Sequence, residues 1–404
     1  MEKLCYSDFR SAPAHDSMRL FPHTFVLFLP LLTSLSATSH ESIPIKVAEG
    51  AVLVPVRIND RSLNFLLDTG SGSSAIDPST AVELKLTPHG TKRIQKNFRD
   101  LVVDVTAVGP VRILNTDFPR VELAEVNLAP VSQALGMAVD GVLGVDILQD
   151  VNFKLNYSQH TLIIGPLTKL GALGAPVTLR RSNGQFLVST DLLSVATELV
   201  LDTGTNSTNL SSGTWNLLTK KWTPRQVVEG IQRAGNPTSP AILVCLPSLR
   251  LGRVILTNQA VRAQTRSDAG AFSSDDFGGI LGSDILRQFE ITFDLRKDTI
   301  YLLPDAHYTV DPYRYTTVGI QIARDVQGAV QIMSVWKNSP AAKAGIQAGD
   351  LIEAINGQPI ESQTLEQVSS KLHAREGTEI ELEIERNTTF STIKVRTQTL
   401  LCER

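Results

Sequence analysis

Two short runs, 68-DTGS-71 and 202-DTGT-205, set aspartate, threonine and glycine in the same order, each after an apolar segment, 65-FLL-67 and 199-LVL-201. An aspartate at the end of a strand, followed at once by glycine, presents its carboxylate at a tight turn. Two such carboxylates brought into contact can divide the labour of hydrolysis, one taking a proton from water and the other giving one to the departing group. They cannot both ionise comfortably, so their acidities should be described as properties of the pair. The first run also fits a dinucleotide fingerprint, Gly70-Ser71-Gly72-Ser73-Ser74-Ala75. That reading fails at the second copy, where Asn206 stands in place of Gly72, and no clear amphipathic helix follows Ala75. A single Asp-Thr-Gly is ordinarily an Asx-type turn; two copies in matched surroundings favour chemistry.

The surroundings match because the chain repeats itself. The segment 141-GVLGVDIL-148 returns as 279-GILGSDIL-286, and 151-VNFKLNYSQHTLII-164 as 289-FEITFDLRKDTIYL-302, with Thr161 aligned on Thr299. Each repeat reads mostly as strand. Val54, Val56 and Ile58 alternate with polar or turn residues before 59-NDRS-62 reverses the chain, and further alternating runs lie at 100–108, 119–128, 241–251 and 254–263. The expectation is mainly β, with two β lobes over 46–166 and 176–305 joined by the glycine- and proline-bearing stretch 165–176. Asp146 and Asp284 also recur, but they suit the first turn of a short helix, where exposed N–H groups favour a carboxylate.

On these motifs the chain resembles the aspartic peptidases over roughly residues 46–305, with Val142-Leu143-Gly144 and Ile280-Leu281-Gly282 as the hydrophobic-hydrophobic-glycine element of each half. The lobe lengths are similar to two retropepsin-type halves fused in tandem, shorter than pepsin lobes. The resemblance implies Asp68 and Asp202 as the catalytic pair sharing one proton, the arrangement for which aspartic proteases are the reference case. It implies Thr69 and Thr203 reaching across to hold the loops, Gly70 and Gly204 allowing close approach, and Ser71 and Thr205 hydrogen-bonding the carboxylates. A monomer then suffices for the site. A flap is expected with its tip at Ala107-Val108-Gly109-Pro110 in the first lobe and at 234-AGNPTSP-240 in the second. No cofactor and no metal is expected: the seven histidines are scattered, without a His-Glu-x-x-His or Cys/His cluster, and no Gly-x-Ser-x-Gly elbow occurs.

From Val318 the pattern changes to 318-VGIQI-322, 338-NSPAAKAGIQAGDLIEAINGQPI-360 and a helical stretch with Leu365, Val368 and Leu372. This resembles a PDZ domain of the bacterial type, an α+β fold over about 308–400. The resemblance implies a carboxylate loop at Thr317-Val318-Gly319-Ile320 and a peptide pocket lined by Ile320, Ile322, Val368 and Leu372, receiving peptide or protein C-termini. Core packing is the competing reading for the helix positions.

The 38 basic and 41 acidic residues give a net charge of −3, with no footprint for nucleic acid. Met18-Arg19 followed by 25-FVLFLPLLTSLSA-37 reads as a signal segment within residues 1–39, which predicts export to a periplasmic or extracellular space, or a membrane tether if it is not cleaved. Cys245 and Cys402, far apart in sequence, are not expected to form a disulfide framework. The expected function is an exported aspartic endopeptidase acting on proteins or peptides; the alternative is a catalytically silent fold of the same kind that binds peptides through its PDZ domain.

Overall fold

The computed structural model describes residues 42–96, 99–113, 116–233, 236–265, 277–324 and 327–402. The leader-like segment lies outside them. The chain is mainly β, and its repeats fold alike. In the first, neighbouring strands run Gly90–Lys96, Arg99–Val108, Val121–Glu125, Ala75–Ile76, Gly141–Leu143, Arg61–Leu67 and Ala51–Ile58. In the second the matching order is Val227–Arg233, Asn236–Leu251, Val254–Gln264, Asn209–Leu210, Gly279–Leu281, Val195–Leu201 and Gln185–Leu192. Alternation explains the burial: along Ala51–Ile58, Val54, Val56 and Ile58 are fully enclosed while Arg57 is exposed. The return at Asn59 and Asp60 has both residues at positive φ, 47° and 63°, the conformation a two-residue hairpin turn demands.

The two halves are joined by a shared sheet. Asn152–Asn156 of the first pairs antiparallel with Phe289–Asp294 of the second, each flanked by its own hairpin partner, Thr161–Ile164 and Thr299–Pro304. Phe153 lies opposite Phe293, their rings stacked at 4.3 Å. The repeated apolar positions thus fuse the two cores into one continuous cluster.

The C-terminal domain has its own core around Ile332, Ile355, Val368, Ile380 and Leu382. Its sheet runs Ile320–Arg324, Val330–Val335, Leu351–Ile355, Glu379–Arg386, Thr389–Arg396, leaving Ile320–Arg324 at one edge. The helix Leu365–Lys371 starts in a capping box of Thr364 and Gln367. Asn356 and Gly357, at φ 52° and 69°, make the turn that the Asn-Gly pair suits.

Several contacts seat this domain on the rest. The Lys337 amide donates to the Glu229 carbonyl at 2.9 Å. Gln133, in the helix Ala129–Leu135, donates to the Arg324 carbonyl at 3.2 Å. Val228, Ile231 and Ala260 form an apolar seam with Leu401, Trp336 and Leu400.

Beside this seam Cys245 and Cys402 are disulfide-bonded, which corrects the expectation from sequence. Their separation in the chain hid a pairing that depends on the final strand returning to the second half. The flap expectation is also corrected in the first half. Ala107 and Val108 end a strand that pairs with Gly90–Lys96 and Val121–Glu125, and Gly109-Pro110 follow it on the way to Val111–Ile113, so they are not a hairpin tip. In the second half, Val227–Arg233 pairs antiparallel with Asn236–Leu251, and residues 234–235 of the expected tip lie outside the described residues.

Since the bond closes a loop with a sequence separation of 157, its removal releases much unfolded-chain entropy. Cys245→Ser with Cys402→Ser is expected to lower unfolding free energy by about 2–5 kcal/mol. Thermal melts of wild type with and without reductant should show the same drop, and the double variant should be insensitive to reductant.

Candidate active site

Each aspartate leaves the end of a strand that is held by a partner from further along the repeat. Gly141–Leu143 runs parallel to Phe65–Leu67, and the Asp68 amide donates to the Leu143 carbonyl at 3.0 Å. Gly279–Leu281 does the same for Leu199–Leu201, with the Asp202 amide on Leu281 at 3.1 Å. A second lock repeats in both halves. The Ser74 hydroxyl donates to Asp146 at 2.6 Å and accepts from the Gly144 amide at 2.9 Å. The Thr208 hydroxyl donates to Asp284 at 2.7 Å and accepts from the Gly282 amide at 3.1 Å. Asp146 and Asp284 do sit in the first turns of short helices, yet their main partners are these hydroxyls. Sequence reasoning passed over Ser74 and Thr208, although both stand six residues after their aspartates.

The two loops meet through a reciprocal set of four hydrogen bonds. The Thr69 hydroxyl donates to the Leu201 carbonyl at 2.8 Å and accepts from the Thr203 amide at 3.1 Å. The Thr203 hydroxyl donates to Leu67 at 2.7 Å and accepts from the Thr69 amide at 3.1 Å. Both threonines are wholly buried, so each bond replaces one that water cannot make.

Gly70 and Gly204 are required by contact. A Cβ on Gly70 would lie 2.5 Å from Asp202 Cγ, and one on Gly204 would lie 2.6 Å from Asp68 Cγ. Each loop therefore packs its glycine against the other's carboxyl group. Asp68 Oδ1 accepts from the amides of Gly70 at 2.9 Å and Ser71 at 3.0 Å, and Asp202 Oδ1 from Gly204 at 2.8 Å. The two carboxyl groups are close enough for each to shift the other's acidity. Ser71 and Thr205 differ from expectation. The Ser71 hydroxyl donates to the Ser73 carbonyl at 2.8 Å, and it is the backbone amides of Ser71 and Thr205 that reach the carboxylates. Gln185, from the second half, adds a bond to the Gly70 carbonyl at 3.0 Å that no motif announced.

Burial pushes both carboxyls above the ordinary carboxylate range. Asp202 is raised well above it, because the Asp68 charge adds to desolvation, while the Gly70 and Ser71 amides restrain the rise at Asp68. Their acidities therefore belong to the pair and lie above the ordinary carboxylate range. Among the described residues no group of histidines, cysteines or acidic side chains is placed to hold a metal.

In the C-terminal domain, Gly319 stands at φ 85°, and a Cβ there would lie 2.3 Å from Ser339 Cβ. The Ser-Pro-Ala-Ala run explains the fit: Ser339 caps the helix Pro340–Lys343 and its hydroxyl donates to the Gly319 carbonyl at 3.3 Å. Ile320, Ile322 and Leu372 line a groove, joined there by Leu365 and Ser369. Val318 and Val368 do not line it; both are completely buried in the domain core. The helix's spacing of three and four could not separate the face toward the core from the face toward the groove.

Residues 54–147 match the family described as aspartyl protease, and residues 331–386 match the PDZ domain. The chain thus contains an aspartyl-protease-like domain followed by a PDZ domain. It is 43% identical over 70 residues to a probable CtpA-like serine protease of Staphylococcus saprophyticus, and 36% identical over 67 residues to one of Staphylococcus haemolyticus. Each match covers 17% of this chain and 14% of the relative, so the chain spans about a seventh of the length of these relatives.

Two outcomes follow from the pair's geometry. Thr69→Val or Thr203→Val leaves a buried carbonyl and a buried amide unpaired and should cost about 1–3 kcal/mol in urea unfolding, with the double variant less than additive. Because the folded pair binds a proton that the unfolded aspartates release near pH 4, stability should fall as pH rises from about 4 through the raised values. Asp202→Asn should remove part of that fall, read as a smaller difference in melting temperature between acid and neutral pH.

Proposed function

We propose that this protein is an exported aspartic endopeptidase whose PDZ domain binds peptide or protein C-termini. The observation that carries the reading is the approach of Asp68 and Asp202, each packed against the other loop's glycine. In such a pair the ionised carboxylate takes a proton from a water molecule as its oxygen attacks the peptide carbonyl. The protonated carboxyl gives its proton to the carbonyl oxygen. In the second step the proton gained from water passes to the amine as the C–N bond breaks, and one hydroxyl of the tetrahedral intermediate returns its proton to the other carboxylate, which restores the pair. Two retropepsin-type lobes in one chain supply both aspartates, so a monomer suffices.

The relatives' name points to a serine protease, but the similarity extends over only 14% of their length. The Asp-Thr-Gly loops favour carboxylate chemistry in this chain. Export is supported by the leader-like sequence at 25–37 and by the Cys245–Cys402 bond, since structural disulfides belong to oxidising compartments. The glycine loop at Gly319 and the open edge of Ile320–Arg324 favour capture of a C-terminal strand.

Purified protein should hydrolyse an unfolded protein such as casein, with a rate that is bell-shaped in pH because the pair must hold one proton. Asp68→Asn and Asp202→Asn should each reduce turnover at least ~10³-fold, a loss of about 4 kcal/mol in transition-state stabilisation. Equal behaviour of wild type and both variants would instead favour a peptide-binding protein without activity.

A further inference from the structure

The two halves carry matched hairpin turns that reach across to each other's aspartate loop. In the first half, Lys46–Ala48 and Ala51–Ile58 are joined at Glu49 and Gly50, with φ of 50° and 80°. In the second, Ala175–Ser182 and Gln185–Leu192 are joined at Asn183 and Gly184, with φ of 50° and 76°. The spacing of 134 residues that separates Thr69 from Thr203 also separates Gly50 from Gly184, Gly72 from Asn206 and Ala51 from Gln185. Each turn packs on the opposite loop. A Cβ on Gly72 would lie 3.3 Å from the Gly184 carbonyl oxygen, and one on Gly50 would lie 3.5 Å from Asn206 Cβ.

At the residue after each turn the match fails. Gln185 donates its side-chain amide to the Gly70 carbonyl at 3.0 Å, whereas its counterpart Ala51 is buried and has no polar side-chain atom to offer. The Gly204 carbonyl, counterpart of that of Gly70, accepts no hydrogen bond from the described residues. Both glycines are half-buried, and each lies against the opposite carboxyl group. The aspartate pair is therefore flanked by one occupied main-chain acceptor and one open one.

A polypeptide drawn out across the pair brings main-chain N–H groups to both sides of the bond it offers, and each needs an acceptor once it leaves water. The Gly204 carbonyl can take one directly. At the Gly70 carbonyl an arriving N–H has to displace a hydrogen bond of its own kind, so the exchange gains little.

We propose that Gln185 is a specificity-determining residue: it fills the Gly70 carbonyl in place of a substrate N–H, so the site grips the main chain of an extended polypeptide on the Gly204 side of the pair and not on the Gly70 side. Recognition on the Gly70 side then falls to side chains, and a residue without an N–H, such as proline, is accepted there. This rests on the aspartic reading of the site and narrows which polypeptides it takes.

A backbone N-methyl scan tests the asymmetry. Full-length protein is given a short peptide copied from a mapped casein cleavage site, with one N-methyl group placed in turn at each residue on either side of the cleaved bond. In wild type, methylation should lower kcat/KM on one side only, by about 3–10-fold, the worth of one neutral hydrogen bond. Gln185→Ala, which copies the first half's alanine, should add a penalty of similar size at one position on the other side. Each penalty is a ratio within one protein, so a variant with a smaller folded fraction still reports it, and Gln185→Ser should repeat the result.

A glutamine that merely braced the loop would change every rate alike and add no new penalty. Penalties on both sides in wild type, penalties on neither side, or the same pattern in wild type and both variants overturn the role of Gln185, while aspartate-dependent cleavage leaves the aspartic reading standing. Absence of cleavage, or cleavage that survives Asp68→Asn and Asp202→Asn, overturns the aspartic reading and this inference with it.

Discussion

The structure turns on the exchange of hydrogen bonds between Thr69 and Thr203. Each threonine gives its hydroxyl proton to a carbonyl of the opposite strand and receives the opposite threonine's amide, so neither loop can complete its bonding alone. Their complete burial makes the exchange compulsory, because a broken bond there has no water to replace it. The close approach of two carboxyl groups, which repel when both ionise, is held by this scaffold. Glycine at 70 and 204 leaves out the Cβ atoms that would meet the opposite carboxyl groups.

Behind the threonines, each loop is braced within its own half. Gly141–Leu143 and Gly279–Leu281 hydrogen-bond the strands that end in the aspartates, and the Ser74–Asp146 and Thr208–Asp284 contacts tie the following turn to the next helix. The recurring aspartates at 146 and 284 are therefore supports of the site and not members of it. Across the halves, the paired strands Asn152–Asn156 and Phe289–Asp294 join the two units that carry the loops. Preorganisation of this kind keeps the half-buried carboxyls in a fixed geometry, in which one proton between them costs less than two charges.

The C-terminal domain is bonded to both halves: through Arg324 to the helix Ala129–Leu135, through Lys337 to Glu229, and through the Cys245–Cys402 bond to the second half. Glu229 belongs to the hairpin whose turn the sequence marked as a flap tip of the second half. A domain that could have hung on a flexible tether instead packs an apolar seam against that hairpin. The placement brings its groove against the loop that follows Asp202.

Repetition made the aspartates, their glycines, the mainly β character and the three segments legible in the linear chain, because duplicated motifs and period-two alternation are local patterns. The Asn-Gly and Ser-Pro-Ala-Ala turns were legible for the same reason. Other features depend on which residues meet only after folding. The disulfide joins positions 245 and 402, the Gln185 bond to Gly70 crosses between halves, and the hydroxyl of Ser71 turns to a neighbouring carbonyl while its amide serves the carboxylate. Apolar spacing put Val368 and Leu372 together without telling that both join the core and that only Leu372 of the two also borders the groove. Sequence by itself determined which groups could do chemistry, since residue type and local turn are written in consecutive residues; the tertiary structure alone decided their contacts, because burial and long-range pairing arise only when distant strands close on one another.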